Sequence, residues 1–230
     1  MDEALRKAWT EIVTADDYER HMSAIGQAQA AAKLTELLLG AANLEGCSHV
    51  VIAGAGTGQL LDFLDPAALR IHRLTCTDLN RGYLDRLEER LRRSELHAEL
   101  LMDDFECTAL QHGCDLLRAT LLLEHIHWPA GVASIARLRP ARAGIILQEN
   151  PPHMQSAVTP GRTVPPSIER ALRSAHVTLV PRRELIASFA AEGFALQRSF
   201  ECAVADGKQL VALLFAHESS ANGTHEFKGS

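Results

Sequence analysis

The stretch HVVIAGAGTGQLL, residues 49–61, is the most informative part of this chain. Its apolar run ends at Ala53 and breaks into three alternate glycines, Gly54, Gly56 and Gly58. The run predicts a buried strand, and the glycines directly after it predict a tight turn that opens into a helix. A turn of this kind lets backbone N–H groups approach a ligand closely.

A carboxylate follows at the end of the next predicted strand. Asp78 comes directly after the segment Leu74–Thr77 and lies 20 residues after Gly58. In this position it can accept hydrogen bonds from ribose hydroxyls, so the two features together predict a nucleoside cofactor. The glycines are spaced G-x-G-x-G, with Gln59 where the dinucleotide fingerprint has its third glycine. A second interpretation of Asp78, as the N-cap of the helix predicted over 80–94, stays open.

Composition narrows the class of protein. The chain has 230 residues and a net charge of -6, which favours one domain and argues against a dedicated nucleic-acid binder. Its five cysteines form no CxxC pair, as is typical of reduced core thiols. No apolar run is long enough to span a bilayer, and the first residues show no signal-peptide pattern. We therefore expect a cytoplasmic protein with no membrane partner.

Predicted strands and helices alternate through the middle of the chain. One or two helices are expected within residues 2–40, and further helices from Gln59, over Asn80–Ser94 and over Pro129–Leu138. Such alternation predicts right-handed crossovers and a parallel sheet with helices on both faces. The five strands of this part are predicted at Val50–Ala53, Leu74–Thr77, Ala98–Met102, Asp115–Thr120 and Ala143–Gln148.

The pattern changes near the C-terminus. Asp206-Gly207 separates two alternating runs, Phe194–Cys202 and Gln209–Ala216, which predicts a β-hairpin. The expected fold is therefore α/β, a Rossmann-like seven-stranded, mostly parallel sheet with an antiparallel C-terminal hairpin and helices on both faces. Its expected parts are an N-terminal helical cap (1–45), the main domain (46–216) with a proline-rich, lid-like insertion (150–181), and a disordered tail (217–230).

This order of motifs resembles the class I S-adenosylmethionine-dependent methyltransferases of small molecules. Residues 115–126, DLLRATLLLEHI, look like that family's fourth strand running into Leu-Glu-His. Residues 137–140, RLRP, are similar to the lead into its fifth strand, although Ala141 and Arg142 stand where the family has two glycines. The resemblance covers about residues 48–149 well and 182–216 loosely. It implies S-adenosylmethionine as cofactor and S-adenosylhomocysteine as product.

The resemblance also implies which residues bind the cofactor. The backbone at Ala53, Gly54, Gly56 and Gly58 would line its methionine part, and carbonyls at Ala119 and Thr120 would receive its ammonium group. Asp78 would bind the ribose, and Leu79 would pack on the adenine. Asp103 would accept from the adenine amino group, with Asp104 as the neighbour that could take its place.

Candidate catalytic residues are histidines. His125, in the Leu-Glu-His motif, is the first choice for a general base, and His153, in the insertion, is the second. A purely structural role for His125, orienting its loop, is an equal alternative. The predicted acceptor pocket contains Tyr18, His21, His127 and Trp128. No metal is expected, because the end of the fourth strand offers no carboxylate.

The predicted function is therefore methyl transfer to a small-molecule acceptor by a monomer or homodimer that binds no nucleic acid. A nicotinamide-dependent oxidoreductase is disfavoured by Gln59, by the terminal hairpin and by the absence of a Tyr-x-x-x-Lys pair. Two alternatives stay open. One is a protein that binds the cofactor without transferring methyl, as a regulator, a scaffold or a catalyst of another reaction. The other is a protein methyltransferase.

Overall fold

The apolar run after His49 forms the central strand of a seven-stranded sheet in the computed structural model. The structure describes residues 3–69, 73–111, 113–154, 163–175 and 177–218. All five cysteines are free thiols. The strands are β1 (His49–Ala53), β2 (Arg73–Asp78), β3 (Glu99–Met102), β4 (Leu116–Thr120), β5 (Arg142–Glu149), β6 (Phe194–Ala203) and β7 (Gln209–His217).

The strand order is β3-β2-β1-β4-β5-β7-β6. Strands β1 to β5 pair in parallel, while β7 runs antiparallel to both β5 and β6. The predicted mixed sheet with its C-terminal hairpin is therefore confirmed. The chain leaves β1 towards β2 on one side and later returns to β4 on the other, so the carboxyl ends of β1 and β4 flank the topological switch point where ligands of such sheets bind.

Helices cover both faces of the sheet, as predicted. On one face α3 and α4 pack in a core with Val50, Ile52 and Leu74, and on the other α5 and α7 pack with Val51 and Leu117. Alternate residues of β1 thus face opposite cores, which explains why residues 50–53 of this strand are all apolar. The α-helices are α1 (Glu3–Lys7), α2 (Ala15–Ala24), α3 (Gln27–Ala42), α4 (Arg81–Arg93), α5 (Trp128–Leu138), α6 (Pro166–Leu172) and α7 (Arg182–Ala191).

The terminal hairpin turns at the predicted dipeptide. Asp206 and Gly207 both have positive φ, 64° and 70°, as a tight hairpin turn requires. A register shift between Leu196 and Arg198 adds a bulge to β6. The hairpin forms one edge of the sheet, and its two strands are the longest in the described fold.

Two predicted helical regions differ from the structure. The helix expected from Gln59 is a short 3₁₀ helix, Gln59–Phe63, followed by a second one, Pro66–Leu69; Pro66 lacks the N–H that a continuous helix would need. The one or two helices expected within 2–40 are three α-helices and a π-helical turn, Ala8–Ile12. The last break falls at Gly26, whose φ is 68°.

The N-terminal helices dock on α6, the helix of the predicted insertion. Thr14 N–H donates to the Ser167 hydroxyl (3.3 Å), and Ser167 N–H donates to the Asp17 carboxylate (2.9 Å). Leu5 and Ile168 belong to the apolar cluster between the two segments. The cap and the described part of the insertion therefore form one cover over the carboxyl ends of the strands.

Arg90 of α4 holds this cover to the glycine turn. Its buried guanidinium donates to the Glu19 carboxylate of α2 (2.6 Å), to the Thr57 carbonyl (2.9 Å) and to the Asp62 carboxylate (3.1 Å). Gln59 adds a bond from its amide to the Ser23 hydroxyl (2.6 Å). The cap is thus fixed directly against the predicted cofactor turn.

Some predicted features lie partly outside the described residues. Residues 155–162 and 176 of the predicted insertion, and 219–230 of the predicted tail, are among them. In the described ranges, no helix has both the length and the apolar character needed to cross a membrane.

Candidate functional site

The glycine turn after β1 has the backbone geometry that its sequence predicts. Gly54, Gly56 and Gly58 all have positive φ, at 61°, 58° and 71°. A Cβ on Gly54 would lie 2.7 Å from Leu122 Cδ1, so this glycine allows the β4 loop to approach. A Cβ on Gly56 would meet nothing nearer than the Tyr18 hydroxyl at 3.8 Å. The turn is therefore open at Gly56, beneath Tyr18 of the cap.

Asp78 joins the ends of β1 and β2. Its carboxylate accepts from the N–H of Gly56 (2.8 Å) and from the N–H of Asn80 (2.9 Å), one bond to each oxygen. A carboxylate has about four acceptor positions, so Asp78 keeps acceptor capacity for a ligand. Burial raises the pKa of Asp78, and these backbone bonds counteract that shift. The helix N-cap considered for Asp78 is instead Asn80, whose side chain accepts from Tyr83 N–H (3.2 Å).

A cavity opens between this turn and the N-terminal cap. Six of the ten predicted cofactor residues line it: Gly54, Gly56, Asp78, Leu79, Asp103 and Asp104. The other four lie below it. Ala53 and Ala119 are paired within neighbouring strands, Thr120 ends β4, and Gly58 faces Leu87 of α4. We call this space the cofactor cavity.

The structure distinguishes the two neighbouring aspartates. Asp103 accepts from Ala109 N–H through Oδ1 (2.9 Å), and its Oδ2 is buried with no partner among the described residues. Asp104 caps the 3₁₀ helix Phe105–Cys107 and forms an ion pair with Arg6 of α1. Asp103 therefore keeps an acceptor for a ligand, whereas Asp104 ties the cap to the cavity rim.

A second cavity adjoins the first. The two share four lining residues, Trp9, Tyr18, Leu121 and His125. The second cavity extends under the cap and α6, where apolar side chains such as Leu5 and Ile168 surround it. His21, one of the residues of the predicted acceptor pocket, lines it, and so does Glu124. We call this space the inner cavity.

Leu121 stands at the junction in an unusual conformation. It follows β4 directly and has a φ of 52°, which is rare for a residue with a branched side chain. Its N–H donates to the Ile146 carbonyl (2.8 Å), which holds it in place. Strained residues of this kind cluster at ligand sites, and this one lines both cavities.

Trp9 lies in the π-helical turn Ala8–Ile12, above the same junction. Asn80 fixes this turn by donating from its side-chain amide to the Trp9 carbonyl (2.6 Å). The indole packs edge-on against the His125 ring, with centroids 4.5 Å apart. Its Nε1 is buried and has no partner among the residues that the structure describes. Single π-helical turns occur frequently at functional sites.

Glu124 and His125 follow in a 3₁₀ turn, Leu123–His125. Glu124 is only 2% exposed, and burial raises its pKa to about 7. Burial lowers the pKa of His125 to about 4, so its imidazole is neutral at physiological pH. At that pH Glu124 is thus the residue of this pair poised to exchange a proton.

Stability should therefore depend on pH through Glu124. Above its ordinary pKa of 4.5, Glu124 loses its proton in the unfolded chain, whereas in the folded protein it keeps the proton up to about pH 7. The contribution of Glu124 to the free energy of unfolding is therefore full below pH 4.5 and is lost as the pH rises through about 7. We expect Glu124→Gln, which stays neutral, to melt higher than the wild type at about pH 8 and close to it at about pH 5. Calorimetric melting at both pH values is the measurement. Parallel shifts of the two proteins between the two pH values would contradict this expectation.

The remaining predicted residues lie elsewhere. His153 is exposed in the turn after β5 and lines neither cavity. His127 is exposed, and its N–H donates to the Glu106 carboxylate (2.7 Å). Trp128 begins α5 and packs against the core beneath. Within the described ranges, no cluster of three or more His, Cys, Asp or Glu side chains is arranged to hold a metal.

Three residues that line the cavities, Trp9, Glu124 and Leu121, were not predicted from the sequence. Trp9 offered a weak signal, a large aromatic residue in a helical segment that also carries Leu5 and Val13. Glu124 stood beside the chosen His125 in the same motif, but only its burial shows that it differs from a surface glutamate. No local pattern indicates the positive φ of Leu121.

No protein-family model and no curated protein sequence matches the chain. Solved structures do match it. Magnesium protoporphyrin IX methyltransferase from Synechocystis, with bound S-adenosylhomocysteine, is 15% identical, with a TM-score of 0.62 over 84% of this chain and 83% of that one. A geranyl diphosphate methyltransferase in complex with S-adenosylmethionine is 14% identical, with a TM-score of 0.60 over 81% and 85%. The cyclase SpnF is 15% identical, with a TM-score of 0.61 over 82% of each chain. The fold implied by the resemblance to class I methyltransferases is thereby confirmed.

Proposed function

We propose that this protein transfers the methyl group of S-adenosylmethionine to a small, largely apolar acceptor. One observation carries the proposal. A cavity lined by the glycine turn, Asp78 and Asp103 meets a second, apolar cavity at a junction formed by Trp9 and His125. Two adjoining spaces of this kind suit a nucleoside cofactor and an acceptor whose reacting atoms meet between them.

The residues of the cofactor cavity fit the parts of S-adenosylmethionine. Asp78 keeps acceptor capacity for the ribose hydroxyls beside its backbone bonds. The unpaired Oδ2 of Asp103 would accept from the adenine amino group, since it is buried and otherwise without a partner in the described chain. The open backbone at Gly56 admits the methionine part. Leu79 and Phe105 supply apolar surface for the adenine ring.

When bound, S-adenosylmethionine supplies a methyl carbon that is already activated by its sulfonium. The protein therefore contributes mainly position and the exclusion of water, and effective molarity alone can lower such a barrier by about 7 kcal/mol or more. Trp9, Leu121 and His125 surround the junction and would orient the acceptor there. The cap and α6 cover the inner cavity, which keeps water from the reacting atoms.

We propose a small molecule as the acceptor, and neither nucleic acid nor a membrane as a partner. The protein is proposed to act as a monomer or homodimer in the cytoplasm. The inner cavity lies beneath the cap, which favours a small molecule over the surface of a protein. The net charge of -6 disfavours nucleic acid.

Calorimetric titration with S-adenosylmethionine, S-adenosylhomocysteine and NADH tests the cofactor assignment. We expect micromolar binding of both sulfur nucleosides and none of NADH. Mass spectrometry of reactions with a panel of aromatic and aliphatic acceptors then tests the transfer. Binding of the cofactor with no methylated product on any acceptor would favour the alternative of a cofactor-binding protein with another role, such as the cyclisation named for SpnF. No binding of either sulfur nucleoside would overturn the proposal.

A further inference from the structure

Three buried polar atoms without partners belong to residues that line the inner cavity. They are Oε2 of Glu124, Nδ1 of His125 and Nε1 of Trp9, and none has a hydrogen-bond partner among the residues that the structure describes. Buried polar atoms are nearly always hydrogen-bonded in folded proteins. Three such atoms on residues that line one cavity favour a polar group of a ligand at this place.

The carboxyl group of Glu124 is held in a defined orientation. Its Oε1 accepts from the N–H of Gln148 on β5 (2.7 Å). Its backbone carbonyl accepts from Thr178 N–H (3.0 Å), which fixes the turn itself. Only Oε2 is left over, at a residue that is 2% exposed. One carboxyl oxygen of a residue that lines the inner cavity is thus left without a partner in the described chain, which is costly at a buried position.

We propose that Glu124 is a general base that takes the proton from the hydroxyl group of a phenol-like acceptor, while the Trp9 indole N–H donates to the same oxygen. This inference rests on the proposed function and names the class of its acceptor. The acceptor is an apolar ring or chain, seated among Leu5 and Ile168, with one weakly acidic hydroxyl within reach of Glu124 and Trp9.

The donor Trp9 favours a hydroxyl over an amine. An indole N–H can only donate, so it needs an atom with a free lone pair. A phenol oxygen that gives up its proton and attacks a methyl carbon still has lone pairs to accept from Trp9. An amine nitrogen uses its one lone pair in the attack and has none left. His125 lines the same cavity with a neutral ring, because burial lowers its pKa to about 4.

The step balances without a further reactant. The O–H bond of the acceptor breaks, and its proton goes to Oε2 of Glu124. The oxygen forms a bond to the methyl carbon, and the electron pair of the carbon–sulfur bond goes to sulfur, which gives the methyl ether and S-adenosylhomocysteine. Glu124 then releases its proton to solvent when the cavity opens.

The other titratable groups that line this cavity are Tyr18, His21 and His125. The pKa of Tyr18 is raised by burial, so its phenol stays protonated and does not compete as a base. The pKa of Glu124, raised by burial to about 7, lies near the operating pH, where a general base is most effective.

The test uses the full-length protein, Glu124→Gln, and Glu88→Gln as a control at an exposed position of α4. Single-turnover methyl transfer is followed by mass spectrometry with para-cresol, with the more acidic para-nitrophenol, and with para-toluidine, an amine of the same shape as the cresol.

We expect Glu124→Gln to slow methylation of para-cresol at least tenfold. The loss should be much smaller for para-nitrophenol above neutral pH, where that phenol is already ionised. Affinity for S-adenosylmethionine should not change, and Glu88→Gln should behave as the wild type. The wild type should methylate para-toluidine more slowly than para-cresol.

Several results would overturn the inference while the proposed function stands. They are an unchanged para-cresol rate in Glu124→Gln, an equal loss for both phenols, faster transfer to para-toluidine than to para-cresol, and cofactor binding without binding or methylation of para-cresol. An equal loss for both phenols would assign Glu124 a structural role. Failure of the wild type to bind S-adenosylmethionine at all would instead overturn the proposed function.

Discussion

Replacing Asp78 by alanine is expected to weaken the binding of S-adenosylmethionine about a hundredfold while the protein stays folded. A hydrogen bond to a charged group contributes about 1.5–3 kcal/mol, and two such bonds to the ribose hydroxyls would be lost. The two bonds together contribute about 3–6 kcal/mol. Tenfold in affinity corresponds to about 1.4 kcal/mol, so a hundredfold loss, about 2.8 kcal/mol, is close to the lower end of that sum. In the wild type the Gly56 N–H donates to the Asp78 carboxylate (2.8 Å). The variant loses this bond as well, so the glycine turn that would contact the ligand becomes less ordered.

Calorimetric titration of Asp78→Ala with S-adenosylhomocysteine measures this effect. Asp85→Ala is the matched control, because Asp85 is an exposed carboxylate of α4 that pairs only with Arg81 of its own helix in the described structure. We expect the control to bind as the wild type does. A folded Asp78→Ala protein with wild-type affinity would remove Asp78 from the cofactor site.

Gly58→Ala is expected to lower the free energy of unfolding by about 3 kcal/mol. Its φ of 71° places it in the left-handed region, which costs a residue with a Cβ about 1–2 kcal/mol. The new Cβ would also lie 2.4 Å from Leu87 Cδ1 in the buried core. Overpacking of this kind costs about 1–3 kcal/mol. In a chain of this size the melting temperature should fall by about 10 °C.

Gly40→Ala is the matched control for this prediction. Gly40 lies within α3, has no positive φ, and a Cβ there would meet nothing within 4 Å. Alanine at such a position stabilises a helix by about 0.5–1 kcal/mol, so this variant should melt slightly higher than the wild type. Thermal unfolding followed by circular dichroism compares the two. Equal melting temperatures of Gly58→Ala and the wild type would show that Leu87 moves away freely and that the turn tolerates a side chain.

Features that depend on neighbours in sequence could be predicted. The run before Ala53 is apolar because both faces of β1 are buried, and the glycines after it are needed for positive φ. The dipeptide Asp206-Gly207 predicted the terminal hairpin for the same local reason. Together with the alternation of strands and helices, these signals predicted seven strands and the mixed direction of the sheet, whereas the order of the strands came from the structure. The position of Asp78 at the end of β2 also followed, because parallel strands bring their carboxyl ends to one edge.

The roles of several site residues depend on contacts between distant segments, and these roles could be read only from the tertiary structure. Asp103 and Asp104 are adjacent acids, and only the ion pair of Asp104 with Arg6, far away in sequence, distinguishes them. Trp9 reaches the junction because Asn80 holds its turn across the cap. Glu124 became the candidate base in place of His125 because burial shifts the two pKa values in opposite directions. Burial is a property of the packed chain, since desolvation depends on every segment that closes around a group, and no single motif contains that information.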